Sequence, residues 1–193
     1  MASRAEPLAA LQDRIDAAAF AGAQLLPVPF LAQVGIRLDP HGLAAGRVAA
    51  VLGVELPRAN RAVSLGGRRL LWLGPDEWLV LAADGEERAL VGMLTDAVGL
   101  GGAVVDLSAN RTGMDLSGPA ARDVLATCCS LDFHPRAFAT GHCAQTLIQK
   151  AGVLIDQRGD EAFLLLVRPS FAAYVAEWLI DGMAGVKADR ASV

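Results

Sequence analysis

Cysteine, tyrosine and lysine are scarce: 193 residues include three Cys, one Tyr and 17 basic residues, of which only Lys150 and Lys187 are lysines. Cys128 and Cys129 are adjacent and Cys143 stands apart. An odd number in that arrangement is no disulfide framework, and it fits a reducing cytoplasmic location. No apolar run approaches the roughly 18 residues that cross a bilayer, so no membrane association is expected. The Ala-rich start is broken by Arg4, Glu6, Asp13, Arg14 and Asp16, which leaves no signal-peptide core and reads as mature chain. Concentrated positive charge is also missing. The net charge is −4 and Arg68-Arg69 is the only adjacent basic pair, which excludes a nucleic-acid groove. No Ser lies in a G-x-S-x-G elbow, and no Cys–His pair carries a nucleophile signature. Gly99-Leu100-Gly101-Gly102 follows a helical pattern and precedes a strand pattern. That order is the reverse of a phosphate loop, in which a helix N-terminus faces the anion.

Apolar residues, by contrast, make up 53% of the chain, enough to bury the core of one large domain or two small ones. Residues 1–28 read as an arm with a short helix near 8–20, and Pro27 and Pro29 flank an extended stretch. Val34, Ile36 and Leu38 alternate with Gly35 and Arg37 in the period of a strand. Residues 43–52 predict a helix ending at Gly53, and 56–61 a loop. Residues 70–73 and 78–81 predict a hairpin closed by Gly74-Pro75-Asp76-Glu77. Asp84 and Glu87 have the spacing of a capping box before a helix that turns Leu90, Val91, Leu94 and Ala97 inward.

The second half repeats this order. Residues 103–107 and 112–116 read as strand around a bend at 108–111. Ser117-Gly118-Pro119 then opens a helix, with Pro at its first position and Ala121, Val124, Leu125 and Cys128 inward. Strands follow at 143–150, 153–156 and 163–167, then a helix from Ser170 to Ile180 with Phe171, Tyr174, Val175 and Trp178 on one side. A shift of 84 positions carries Asp76-Glu77 onto Asp160-Glu161 and Leu90, Val91 and Leu94 onto Tyr174, Val175 and Trp178. The expected fold is therefore α+β, a duplicated β-α-β-β-α unit with pseudo-twofold symmetry and antiparallel sheets covered by helices. The repeats span about 30–99 and 103–182 of a single domain at 29–182, and 183–193 form a tail.

Reactive side chains gather at Cys128, Cys129, His134, His142 and Cys143. They lack the paired C-x₂₋₄-C knuckle that holds tetrahedral zinc, and small buried core thiols are the expected outcome. Asp106, Asn110 and Arg111 at the bend, with His134 and Arg136 in the later loop, are the polar candidates for a pocket or an interface. An ion pair and bulge hydrogen bonds that fix the two loops would use the same residues. Trp72 and Trp78 are expected as core or interface anchors.

Longer runs carry a resemblance. Val105-Asp106-Leu107-Ser108-Ala109-Asn110-Arg111-Thr112, Leu116-Ser117-Gly118-Pro119, Ala121-Arg122-Asp123-Val124-Leu125, His134-Pro135-Arg136-Ala137-Phe138 and Cys143-Ala144-Gln145-Thr146-Leu147 resemble the γ subunit family of heterotetrameric sarcosine oxidase. So do Leu71-Trp72-Leu73-Gly74-Pro75-Asp76-Glu77-Trp78 and Pro29-Phe30-Leu31-Ala32-Gln33-Val34. Asp106-Leu107-Ser108 followed by Leu116-Ser117-Gly118-Pro119 is similar to the aminomethyltransferase superfamily, which implies a folate-binding-type fold. The sequence departs from the family at Gly113, where a branched apolar residue is usual, and at Ala139-Thr140, where a Pro is common.

The resemblance implies α, β and δ partner subunits that hold FAD, FMN, NAD and zinc and use tetrahydrofolate. It implies a packing and assembly role for this chain, with no catalytic, cofactor-binding or metal residue of its own. The expected function is thus a non-catalytic subunit of a flavoenzyme that demethylates sarcosine to glycine. A stand-alone tetrahydrofolate-binding or aminomethyltransferase-like one-carbon protein is the alternative.

Overall fold

A computed structural model describes residues 4–192. Residues 1–3 and 193, the extreme ends of the predicted arm and tail, lie outside the described residues. The chain begins with a 3₁₀ turn at Ala9–Leu11, helix α1 (Gln12–Ala18) and strand β1 (Gln24–Val28). A first compact unit comprises Phe30–Asn110 and Gly141–Ala144. It holds β2 (Ala32–Leu38), α2 (Leu43–Leu52), β3 (Ala62–Leu65), β4 (Arg68–Gly74), β5 (Glu77–Ala82), α3 (Glu87–Val98) and β6 (Gly102–Asp106). Its five strands form one antiparallel sheet in the order β3-β4-β5-β2-β6. Residues 103–107, read from sequence with the second half, thus contribute β6, which pairs with β2.

Strand alternation builds this unit's core. Val34, Ile36 and Leu38 of β2 and Trp78 and Val80 of β5 project to one face. There they meet Ala44 and Val48 of α2 and Leu90, Leu94, Ala97 and Val98 of α3. Trp78 is 3% exposed, and its indole Nε1 donates to the Pro57 carbonyl at 3.0 Å, which satisfies the one polar atom it buries. Helix α2 stops as expected at Gly53, whose φ of 72° is the left-handed cap that glycine tolerates. The capping box does not form. Gly85, at φ 87°, reverses the chain between Asp84 and Glu86, so Glu87 is the first helical residue and no side-chain cap bond is made.

The second compact unit takes in the residues before Phe30, Arg111–Thr140, and the chain from Gln145 on. Its elements after β1 are β7 (Thr112–Ser117), α4 (Ala121–Cys128), β8 (Cys143–Ile148), β9 (Ala151–Gly159), β10 (Ala162–Val167) and α5 (Pro169–Ala191). The sheet order is β1-β7-β10-β9-β8. Within the stretch read as an arm, β1 is an edge strand antiparallel to β7. A Cβ at Gly113 would lie 2.8 Å from the Val28 carbonyl oxygen and 3.1 Å from Val28 Cβ, so this position of β7 has no room for a side chain.

Helix α4 buries Ala121, Val124, Leu125 and Cys128, the four residues its periodicity selects. It starts two residues later than predicted. Gly118, at φ 117°, holds a turn in which the Ala121 amide donates to the Gly118 carbonyl, so Pro119 stays outside the helix. Helix α5 corrects a face. It buries Ala172, Val175, Ala176, Leu179, Gly182, Met183 and Val186, whereas Phe171 is 45% exposed and Tyr174 and Trp178 are half-buried. A Cβ at Gly182 would sit 2.5 Å from Thr127 Oγ1 of α4, so this one position of the inward face has to be glycine. The helix also continues through the segment read as a tail. Among the described residues no helix is long and apolar enough to cross a membrane.

Candidate partner-facing loops

The first predicted cluster resolves into one turn. Asp106 Oδ1 accepts from the Ser108 hydroxyl at 2.6 Å and the Ser108 amide at 2.9 Å. Ser108 Oγ in turn accepts from the Gln33 amide at 3.0 Å, and the Asn110 amide donates to the Leu107 carbonyl at 2.8 Å. These bonds tie the bend to β2. The bulge hydrogen bonds anticipated from sequence are present, but Asp106 is held by a serine rather than by an arginine ion pair. The Ser108 hydroxyl, and then its amide, hold the exposed Asp106 carboxyl below the usual value of 3.8. A carboxyl lowered in this way contributes stability above pH 3.8, and that contribution is lost as pH falls through the folded value. Asp106→Ala is expected to remove this acid-side dependence and to speed exchange of the Ser108 amide. Urea titrations between pH 3 and 6 with amide exchange check both.

The second cluster is a separate turn. The His134 amide donates to Asp132 Oδ1 at 2.8 Å, and His134 Nδ1 accepts from the Arg136 amide at 3.2 Å. The Ala137 and Phe138 amides both donate to the His134 carbonyl. The Arg136 guanidinium is exposed and has no partner among the described residues. Asp106 and Asn110 therefore share one turn, and His134 and Arg136 share another. Arg111 is half-buried just ahead of β7, with one terminal nitrogen shielded from solvent.

Sequence reasoning missed what positions the second loop. Arg122, in the first turn of α4, donates Nη1 to the carbonyls of Phe133 and Phe138 and Nε to that of Asp160. Its guanidinium also lies 5.4 Å from the centre of the Phe163 ring. Phe133 and Phe138 meet edge-on at 5.7 Å, and Phe133 meets Phe163 edge-on at 6.1 Å. At the loop's far end Thr140 Oγ1 bonds Asp160 Oδ1 at 2.9 Å. An arginine two residues into a helix gives no local signal of this, because every partner is distant in sequence.

The cysteines are core residues. All three are buried. The Cys128 thiol lies 3.6 Å from the Leu125 carbonyl, and Cys143 Sγ donates to the Arg61 and Trp72 carbonyls at 3.3 and 3.4 Å. Burial, with a smaller push from Cys129, raises the Cys128 thiol to about 11. At pH 8 Cys128 is expected to resist iodoacetamide in the native chain and to react once urea unfolds it; mass spectrometry of the labelled peptides reads the difference. Among the described residues no three His, Cys, Asp or Glu side chains converge as a metal site. Gly99–Gly101 forms a 3₁₀ turn between α3 and β6.

Residues 35–185 match the sarcosine oxidase, gamma subunit family. The chain belongs to that family. It is 41% identical over 164 residues to sarcosine oxidase subunit gamma of Corynebacterium sp. (strain P-1), covering 83% of this chain and 79% of that one. With the Arthrobacter sp. subunit it shares 39% over 184 residues, 93% and 90% of the two chains. Among solved structures, a chain of the heterotetrameric sarcosine oxidase from Corynebacterium sp. U-96 aligns with a TM-score of 0.87 at 37% identity, covering 94% of this chain and 95% of that one. The glycine cleavage system aminomethyltransferase T from Bartonella henselae aligns with a TM-score of 0.65 at 19% identity. That likeness is one of fold, and it covers 90% of this chain but 49% of the transferase. Three of the runs that carry the resemblance form the Asp106–Ser108 turn, the Gly118 turn and the loop that Arg122 pins.

Proposed function

We propose that this chain is a non-catalytic γ subunit of a heterotetrameric sarcosine oxidase, supporting assembly of a flavoenzyme that oxidatively demethylates sarcosine to glycine. One observation carries the reading: nearly the whole chain aligns with nearly the whole of a chain solved within such a heterotetramer. The local chemistry agrees. Asp106, Ser108 and His134 spend their hydrogen bonds holding turns, and Cys128 is a protonated core thiol. The partners are the α, β and δ subunits, which carry FAD, FMN, NAD and zinc and use tetrahydrofolate, in the cytoplasm. The turn at 107–110 and the loop at 132–141 are surfaces offered to them, with Arg136 as an uncommitted cation.

We also infer that the two units arose by duplication. The strand orders β3-β4-β5-β2-β6 and β8-β9-β10-β7-β1 support this, as do the buried helix faces. Leu90, Leu94 and Val98 correspond to Val175, Leu179 and Met183, an offset of 85 positions rather than the 84 read from sequence.

The test is co-expression with the flavin-bearing subunits, followed by capture through a tag on this chain. Stoichiometric recovery of a flavin-containing complex is expected, while the chain expressed alone shows no flavin absorbance. Flavin bound to the isolated chain would overturn the non-catalytic assignment. Micromolar binding of tetrahydrofolate by the isolated chain in calorimetry would favour the one-carbon alternative.

A further inference from the structure

We propose that the open edge of β6, with the neighbouring Leu100 and Leu43, is where a subunit of the oxidase assembly adds an extended strand to this chain's first sheet. The inference rests on the assembly reading above and names the surface that reading leaves open. The register shows which backbone groups are available. The Leu107 amide donates to the Gln33 carbonyl at 2.7 Å, and β6 continues the same antiparallel register, Gly35 facing Val105 and Arg37 facing Ala103. In such a ladder alternate residues turn their amides and carbonyls toward the paired strand and the rest turn them away. Ala103 and Val105 are therefore bonded to β2. Gly102, Val104 and Asp106 point their N–H and C=O groups outward, and among the described residues no strand takes them. The other side of β2 agrees: the Leu38 amide donates to Asp76 on the β5 side, so the even-numbered residues of β2 serve β5 and the odd-numbered ones serve β6.

Free edges invite pairing, and soluble proteins blunt them with Lys, Pro, a bulge or a covering segment. Strand β6 carries neither Lys nor Pro. Its sequence is Gly-Ala-Val-Val-Asp, all of it exposed except half-buried Val104, and its pairing with β2 has no register shift. Val105 is 52% exposed. Beside it the chain presents two anchors. Leu100 is fully exposed and Leu43 is 86% exposed. They flank a tight contact in which a Cβ on Gly101 would lie 2.8 Å from Ala44 Cβ. The turn that carries Leu100 is held by Arg47, which donates to the Ala97 and Val98 carbonyls at 2.7 and 2.9 Å. A rigidly held apolar side chain next to an open strand edge is the arrangement of strand addition, in which the backbone supplies affinity and the anchors supply specificity.

Charge selects the occupant. The only ionisable group on β6 is the Asp106 carboxylate, and the chain is net −4. A second copy would bring like charge, whereas an apolar strand flanked by Lys or Arg at the Asp106 end is complementary. A related chain has been solved inside a heterotetramer, where other subunits are present.

The test uses the full chain co-expressed with its partner subunits, comparing wild type, the double variant Leu100→Lys with Val105→Lys, and Leu65→Lys as an exposed control on β3. The double variant is expected to lower recovery of the complex at least about tenfold, with the unfolding midpoint of the isolated chain unchanged and Leu65→Lys assembling normally. In wild type, assembly should slow exchange of the Gly102, Val104 and Asp106 amides, while those of Ala103 and Val105 are already protected. Normal assembly of the double variant with unchanged exchange at 102, 104 and 106 overturns the edge proposal and leaves the subunit reading standing. Failure of wild type itself to assemble overturns that reading and the proposal with it. A wild-type homodimer that the double variant dissolves would assign the edge to a second copy and equally overturn the proposal.

Discussion

Replacing Arg122 with Met should lower stability by about 3 kcal/mol, since hydrogen bonds to a charged group contribute roughly 1.5–3 kcal/mol each. Arg122 satisfies the carbonyls of Phe133, Phe138 and Asp160 from one planar fork. Phe133 and Phe138 are each 4% exposed, so water does not simply replace the lost donor. For a chain of this length the loss corresponds to a fall in Tm of roughly 6–12 °C. Arg122→Lys should recover less than half of it, because an ammonium keeps the charge but has no fork to reach carbonyls in two directions. Arg136→Ala, which removes an exposed guanidinium with no partner among the described residues from the same loop, should stay within about 0.5 kcal/mol of wild type. Urea unfolding ranks the three, and amide exchange over residues 132–141 tells whether the loop loosens before the sheet does. Equal stability of Arg122→Met and wild type would show that the loop is held by its aromatic contacts alone.

Gly118→Ala should be destabilising by about 2–6 kcal/mol, combining roughly 1–3 for strain with a similar cost of overpacking. Gly118 has φ 117°, and a Cβ there would lie 2.5 Å from the Gly22 carbonyl oxygen and 3.0 Å from its carbon. Both neighbours are backbone, and Gly22 cannot retreat freely. Its carbonyl accepts from the Ala120 amide at 2.7 Å, while the Gly118 amide donates to Glu161 at 2.9 Å. The turn thus links the entry to β1, the start of α4 and the hairpin before β10. Gly152→Ala is the matched control, since a Cβ there meets nothing within 4 Å, and it should be neutral or slightly stabilising. Thermal unfolding of the two variants measures the difference, and a Gly118→Ala chain as stable as Gly152→Ala would mean the turn relaxes without cost.

These two positions also show what two of the runs that carry the resemblance do in this chain. Leu116-Ser117-Gly118-Pro119 was legible as a motif, yet its reason is the carbonyl of Gly22, some hundred residues earlier in the chain. Ala121-Arg122-Asp123 was legible as an amphipathic helix start. Nothing local marks its arginine as the support of a loop ending at Thr140.

What the sequence determined by itself were the features set within a few residues. Period-two and helical spacing placed β2, α2, the β4–β5 hairpin and the buried face of α4, because side-chain direction along an element follows backbone geometry alone. Charge and cysteine usage predicted a chain without a basic groove or a disulfide framework, and ordered motif runs identified the family. Tertiary structure decided the rest. It turned α5 so that Ala172, Ala176 and Gly182 face inward, and a Cβ at Gly182 would meet Thr127 of α4. It assigned β6 to the first sheet and β1 to the second, since strand pairing depends on partners distant in the chain. It divided four of the five polar candidates between two local turns, left Arg111 half-buried ahead of β7, and exposed Leu100 beside the edge strand β6. Spacing within a segment carries no information about which groups another segment will bring to meet it.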